Sequence, residues 1–216
     1  MQEEYDNYFS NLANTMQIAR NAGFNGIIVV MGAIAFTPGK VVLPTNDDMT
    51  WAINHPELFT NYGSVIADFH SYYCFLHAWG DYPAEYNALK NLWLNTGRIT
   101  EAQNMGIPVA HFEGGIRITD PNVAEQNAAY ANALRLCNEQ GISWLGWDYS
   151  STDQFSMLSS LIPPMWNSSG QVLANAILEA PPTPPIDLPV IVAAGGLAAV
   201  DAILVAIYLA KISGYI

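Results

Sequence analysis

Basic residues are scarce in this chain. Lys and Arg number 7 against 19 Asp and Glu, a formal net charge of −12. A nucleic-acid partner needs a basic face for its phosphates, so none is expected. The surplus of acid suits a soluble, negatively charged exterior. Charge of either sign is thin at 12% of residues, the same share as aromatics. Rings at that density mostly fill a core, and those left outside it offer stacking surfaces. Cys74 and Cys137 are too few for a disulfide framework, which leaves them either paired or as free buried thiols. The opening "MQEEYDNYFS" has no basic stretch and no apolar run, so it is not expected to be a signal peptide. No Gly-x-Gly-x-x-Gly or P-loop follows any predicted strand, which weakens a nucleotide-binding reading. No Gly-x-Ser-x-Gly or Cys–His constellation suggests a Ser or Cys nucleophile. His70, His77 and His111 form no compact ligand set, although His111 and Glu113, two apart on a strand, would share a face. No metal and no cofactor is expected.

The C-terminal end differs from the rest. With 216 residues, one domain plus an appendage is the natural division. "APPTPPIDLP" packs five prolines into 180–189, and 181–187 reads as a semi-rigid spacer. A nearly uncharged run of 22 residues follows at 188–209, long enough to cross a bilayer as a helix. Eleven of its residues are Leu, Ile or Val. Together these favour insertion by roughly 3 to 7 kcal/mol, against a cost of about 3 for Asp201. The sum assigns 188–210 to a transmembrane helix, with a soluble amphipathic tail as the other reading. Lys211 just beyond it places 211–216 in the cytoplasm and the main domain outside the cell, on a single-pass membrane protein. Gly195, Ala199 and Ala202 set small residues on one side of that helix beside Asp201, a pattern that permits close helix pairing.

Between the ends runs a rhythm. "NAGFNGIIVV", "NYGSVIADF", "NMGIPVAHF" and "EQGISWLGW" each place a glycine shortly before an apolar strand. Gly23, Gly63, Gly106 and Gly141 are spaced by 40, 43 and 35 residues, and a glycine suits the left-handed position just past a helix. Tyr5, Phe9, Leu12, Met16 and Ala19 share a helical face ahead of the first, and Tyr86, Leu89 and Trp93 ahead of the third. A helix over 48–59 precedes the second. Before the fourth, Asp120 can cap a helix that opens on Pro121 and carries Tyr130, Leu134 and Cys137. A final helix is expected over 170–180. The strands at 27–32, 65–70, 108–113 and 142–147 are apolar throughout, as parallel strands covered on both faces are. Helix and strand in alternation predict a right-handed α/β array, either an open doubly wound sheet or a TIM-type barrel.

Such folds carry their sites at the carboxyl ends of the strands. There the chain places His70, Tyr72, His77 and Trp79 after the second strand, Glu113 at the end of the third, and Trp147 with Asp148 after the fourth. A carboxylate to attack or stabilise an oxocarbenium centre, with flat rings to pack against pyranose faces, is the outline of sugar chemistry. Gly114 and Gly115 would leave room beside Glu113 for a substrate. Asn167-Ser168-Ser169 is a glycosylation sequon.

At these residues the chain resembles glycoside hydrolase family 5, the cellulase and mannanase family of retaining (β/α)8-barrel enzymes. "DFHSYY" is similar to the family's His-x-Tyr after strand six, "PVAHFEGG" to its strand-seven segment with the nucleophilic glutamate, and "GISWLGWDY" to strand eight with its sugar-platform tryptophan. The resemblance spans about 5–180 and implies that 1–180 is the C-terminal half of a TIM (β/α)8 barrel, strands five to eight. It implies Glu113 as nucleophile and His70, Tyr72, His77, Trp79 and Trp147 as binding groups for a β-linked polysaccharide or oligosaccharide. The family's strand-four Asn-Glu-Pro, source of the acid/base glutamate, has no counterpart in the sequence, and Glu3 and Glu4 lack that motif's neighbours. A second chain that completes the barrel is one expectation and a shortened reading frame another. A non-catalytic carbohydrate-binding or structural cell-surface protein is the alternative function.

Overall fold

A computed structural model of the chain describes residues 2–31, 36–37, 40–41, 49–72, 85–146, 148, 150–152 and 154–179. Helix α1 (Gln2–Asn21) leads into strand β1 (Ile28–Met31), followed by a short antiparallel ribbon of β2 (Phe36–Thr37) and β3 (Lys40–Val41). Helices α2 (Thr50–Asn54) and α3 (Glu57–Thr60) lead into β4 (Val65–Tyr72). Helix α4 (Tyr86–Asn91), a π-helical turn (Leu92–Thr96) and α5 (Ile99–Asn104) precede β5 (Val109–Gly115). Helix α6 (Val123–Gln140) precedes β6 (Ser143–Trp144), and a hairpin of β7 (Leu158–Leu161) and β8 (Pro164–Trp166) connects to α7 (Ser168–Glu179). The four expected strands form one parallel sheet in the order β1-β4-β5-β6. Spatial order therefore follows chain order, without the reversal that marks a doubly wound sheet.

The glycine rhythm has a common structural cause. Gly23, Gly63, Gly106 and Gly141 have φ of +88°, +77°, +77° and +64°. In three of the four turns the next residue's N–H reaches the carbonyl five positions back: Phe24 to Ala19 at 3.1 Å, Ile107 to Ala102 at 3.0 Å and Ile142 to Cys137 at 2.9 Å. This is the Schellman closure, which a left-handed residue makes without the clash a Cβ would bring. It ends each helix and aims the chain at the sheet. The turn at Gly63 is held differently. Arg20, at the end of α1, donates to the carbonyls of Tyr62 (2.5 Å) and Ser64 (3.2 Å), and also to those of Phe24 and Gly26 (2.7 Å each). One guanidinium thus ties the turn before β1 to the turn before β4.

The core lies between the helices and one face of the sheet. Phe9 and Met16 of α1 are buried as expected, as are Leu89, Trp93, Tyr130 and Leu134, and Ile99 and Leu136 join them. Trp93 meets Phe69 of β4 edge-on, with centroids 5.0 Å apart. Three expectations need correction. The helix over 48–59 is two short ones, because Pro56 lacks an N–H and disfavours helical backbone at His55, whose φ and ψ are −125° and 55°. Helix α6 opens at Val123 behind Asn122 rather than on Pro121, and Asp120 instead accepts a hydrogen bond from Gln126 Nε2 at 3.1 Å. Cover on both sheet faces is not complete, since Val29, in phase with Asp68 on the face away from Trp93, is 43% exposed.

Cys137 is free and buried, and burial pushes its thiol pKa up, so it is an inert core thiol. Cys74 lies outside the described residues. So do the linker 181–187, the run 188–210 with Asp201, and the tail 211–216. Among the described residues no helix is long and apolar enough to cross a membrane.

Candidate active site

The site is built where β4 and β5 run side by side. Asp68 pairs with Ala110, yet His70 pairs with Glu113, so β5 uses three residues where β4 uses two. The extra residue is a β-bulge. A one-residue slip reverses which face every later side chain takes. His111 and Glu113, two apart, therefore lie on opposite faces, and the expectation that they share one fails for this reason. His111 turns into the core, its ring 4.9 Å from Phe69 and 5.6 Å from Trp93. Glu113 turns to the other face and meets His70.

Bulges leave a backbone group without its ladder partner. Here Phe112 N–H donates to Asp68 Oδ1 at 2.8 Å. The second oxygen of the same carboxylate lies 2.8 Å from His70 Nε2, while His70 Nδ1 faces Glu113 Oε2 at 3.6 Å. Asp68 is only 6% exposed, whereas a third of the Glu113 side chain is open to solvent. Burial opposes a charge on His70, but the Asp68 hydrogen bond and the charges of Asp68 and Glu113 outweigh it and hold the imidazole pKa above its usual value. A partly exposed carboxylate facing a readily protonated imidazole at a strand's carboxyl end can meet a developing positive centre as an anion.

On the core side, His111 Nε2 lies 2.6 Å from Ser71 Oγ, and its Nδ1 has no hydrogen-bond partner among the described residues. Burial first, and then the charge of His70, lower its pKa to about 3, so this ring is neutral. Gly114 is small for its sake. A Cβ there would come within 2.9 Å of both His111 Nε2 and the Ser71 carbonyl oxygen. The room that Gly114 leaves is filled by the protein itself, which corrects the expectation that it makes space for a substrate.

Of the expected site residues, the structure brings His70 and Glu113 together. Tyr72 closes β4 in register with Gly115, and its side chain lies outside the described residues, as do His77, Trp79 and Trp147. Asp148 accepts a hydrogen bond from Ser150 Oγ at 2.9 Å and so serves its own loop. No cluster of metal-ligating side chains occurs among the described residues. Asp68 was not foreseen, although an acid inside an apolar strand, two before His70 and hence on its face, was a readable signal. The sequon asparagine is engaged as a helix cap. Asn167 Oδ1 accepts the N–H groups of Ser169 and Gly170 at 3.0 Å each, and its Nδ2 donates to the Ser156 carbonyl at 2.5 Å.

No protein-family model matches the chain, and no curated protein matches it. Solved structures do. A thermostable, highly halotolerant GH5 cellulase from an Icelandic hot spring isolate aligns over 87% of this chain and 54% of its own, with 17% identity and a TM-score of 0.50. An endoglucanase from the hyperthermophilic Thermotoga maritima aligns over 52% of this chain and 39% of its own, with 16% identity and a TM-score of 0.39. The chain thus spans about half the length of the cellulase. The likeness to that protein is one of fold, an α/β array around a parallel sheet like that of a GH5 barrel.

Proposed function

We propose that the chain is a glycoside hydrolase-like domain directed at β-linked polysaccharide, containing strands five to eight of a barrel, with Glu113 as nucleophile of a retaining mechanism. The pairing of Glu113 with His70 across adjacent strand ends carries the reading. Glu113 would attack the anomeric carbon, and the leaving oxygen would take a proton from a second carboxyl about 5 Å away. Asp68 is not suited to that task, because both its oxygens are engaged and it is buried. In this reading the acid/base glutamate would come from outside this sequence, from an adjoining stretch or a second chain. His70, Tyr72, His77, Trp79 and Trp147 would hold the sugar, and 188–210 would tether the domain to the outer face of the cell membrane.

An aryl glycoside with a good leaving group does not need the missing acid, and this supplies the test. Incubated with a dinitrophenyl β-cellobioside, the chain should release dinitrophenol in a burst and gain one glycosyl mass on Glu113. Glu113→Gln should gain none, and intact β-glucan should not be turned over, since general acid catalysis contributes about 10²–10⁴-fold. The absence of an Asn-Glu-Pro segment favours one other reading, a carbohydrate-binding protein without turnover. Retention on immobilised glucan that is unchanged by Glu113→Gln, with no burst, would select it.

A further inference from the structure

We infer that Asp68 is the positioning residue of this site: one carboxylate holds the bulged Phe112 N–H and the Nε2–H of His70, so that Nδ1 is the ring atom turned to Glu113. The inference deepens the reading of Glu113 as the working carboxylate and rests on it for its purpose, though not for its measurement.

Two donors converge on Asp68, Phe112 N–H on Oδ1 and His70 Nε2–H on Oδ2, each at 2.8 Å. A carboxylate accepts on both oxygens, whereas an asparagine offers one acceptor oxygen and an NH₂ that repels a donor. Only the carboxylate serves both at once. The first bond holds the bulge that brings Glu113 opposite His70. The second fixes the proton of the neutral ring on Nε2, leaving Nδ1 to exchange a proton on the Glu113 side. Bulge, ring orientation and tautomer are therefore set by one buried side chain. Among the described residues, the ionisable groups acting on His70 are Asp68 on its own strand and Glu113 on β5, with the neutral His111 behind them on the core face of β5.

The test uses the full chain with ¹⁵N-labelled histidine, the His70 signals being assigned by their loss in His70→Gln. In the native chain, above the titration of His70, the ¹⁵N shifts should report a proton on Nε2. A neutral ring carrying it on Nδ1 overturns the inference whether or not Asp68→Asn folds. In Asp68→Asn one of two things must give way. Either His70 switches to the Nδ1–H tautomer and titrates at lower pH, or the Phe112 amide loses its protection from hydrogen exchange. Asp68→Asn with native tautomer, native titration and native Phe112 protection overturns it too. Neither readout involves a sugar, so failure of the glycosidase reading and failure of this inference are told apart.

Discussion

His70 and His111 lie on neighbouring strands and answer pH in opposite directions. His111 is lowered to about 3 from 6.5. Between those values the unfolded chain binds the proton that the folded chain refuses, so stability falls as the pH drops below 6.5. The loss from this one group approaches about 1.4 kcal/mol per pH unit within that window. His70 is raised, so its contribution is fully present below the ordinary imidazole value and is lost as pH rises through the folded pKa. We expect urea midpoints to peak between the two windows, with the acid-side slope flattened in His111→Gln and the alkaline-side slope flattened in His70→Gln. A pair of unchanged slopes would show that neither ring titrates as described. A second expectation concerns Gly114→Ala, whose methyl would press on the His111 ring and the Ser71 carbonyl. Overpacking of this kind costs about 1–3 kcal/mol and should appear as a lower midpoint at every pH. His70 and Glu113 were legible in the sequence because strand ends are readable from apolar runs. The separation of His111 from Glu113 was not, because a bulge leaves no mark in a single strand and exists only in the pairing of two.

Among the elements, the helix ends were the most legible part. A glycine past an amphipathic run encodes a closure made by backbone atoms nearby in sequence, so Gly23, Gly106 and Gly141 needed no knowledge of the fold. The ribbon β2–β3 and the hairpin β7–β8 were missed, since two to four residues per strand are too few for a period of two to stand out. The last core strand is Ser143–Trp144 rather than 142–147, although Leu145 N–H still donates to the His111 carbonyl at 2.9 Å. Trp144 Nε1 donates back to Asn138 Oδ1 at 2.8 Å, and at Gly146 the backbone passes so near Tyr130 and Leu173 that a Cβ would come within 2.9 Å of each. The role of Arg20 was equally invisible, because two of the carbonyls it holds lie more than forty positions along the chain from it. Arg20→Ala leaves the carbonyls of Phe24, Gly26, Tyr62 and Ser64 without that donor. We expect a loss of about 2–3 kcal/mol, the order of a hydrogen bond to a charged group with partial replacement by water. A thermal melt unmoved by this change would mean that the two turns hold without it.

For the whole molecule the sheet's edges decide behaviour. Strands β1 and β6 each pair on one side only among the described residues, and Val29 on β1 is 43% exposed. Unpaired parallel edges invite further strands. Residues 1–187 expressed by themselves should sediment as dimers or larger species, and Val29→Lys should shift them toward monomer. A native fragment that sediments as a monomer would show that the edges are closed by other means. The order β1-β4-β5-β6 has one more consequence, which concerns synthesis on the ribosome. Each strand's earlier neighbour has already left the exit tunnel when that strand emerges, so pairing never waits for sequence still to be translated. Loop-closure entropy is met in separate steps of about forty residues rather than in one long search. A nascent chain halted after β4 or β5 would therefore hold a smaller version of the same sheet, growing at a single edge in the direction of translation.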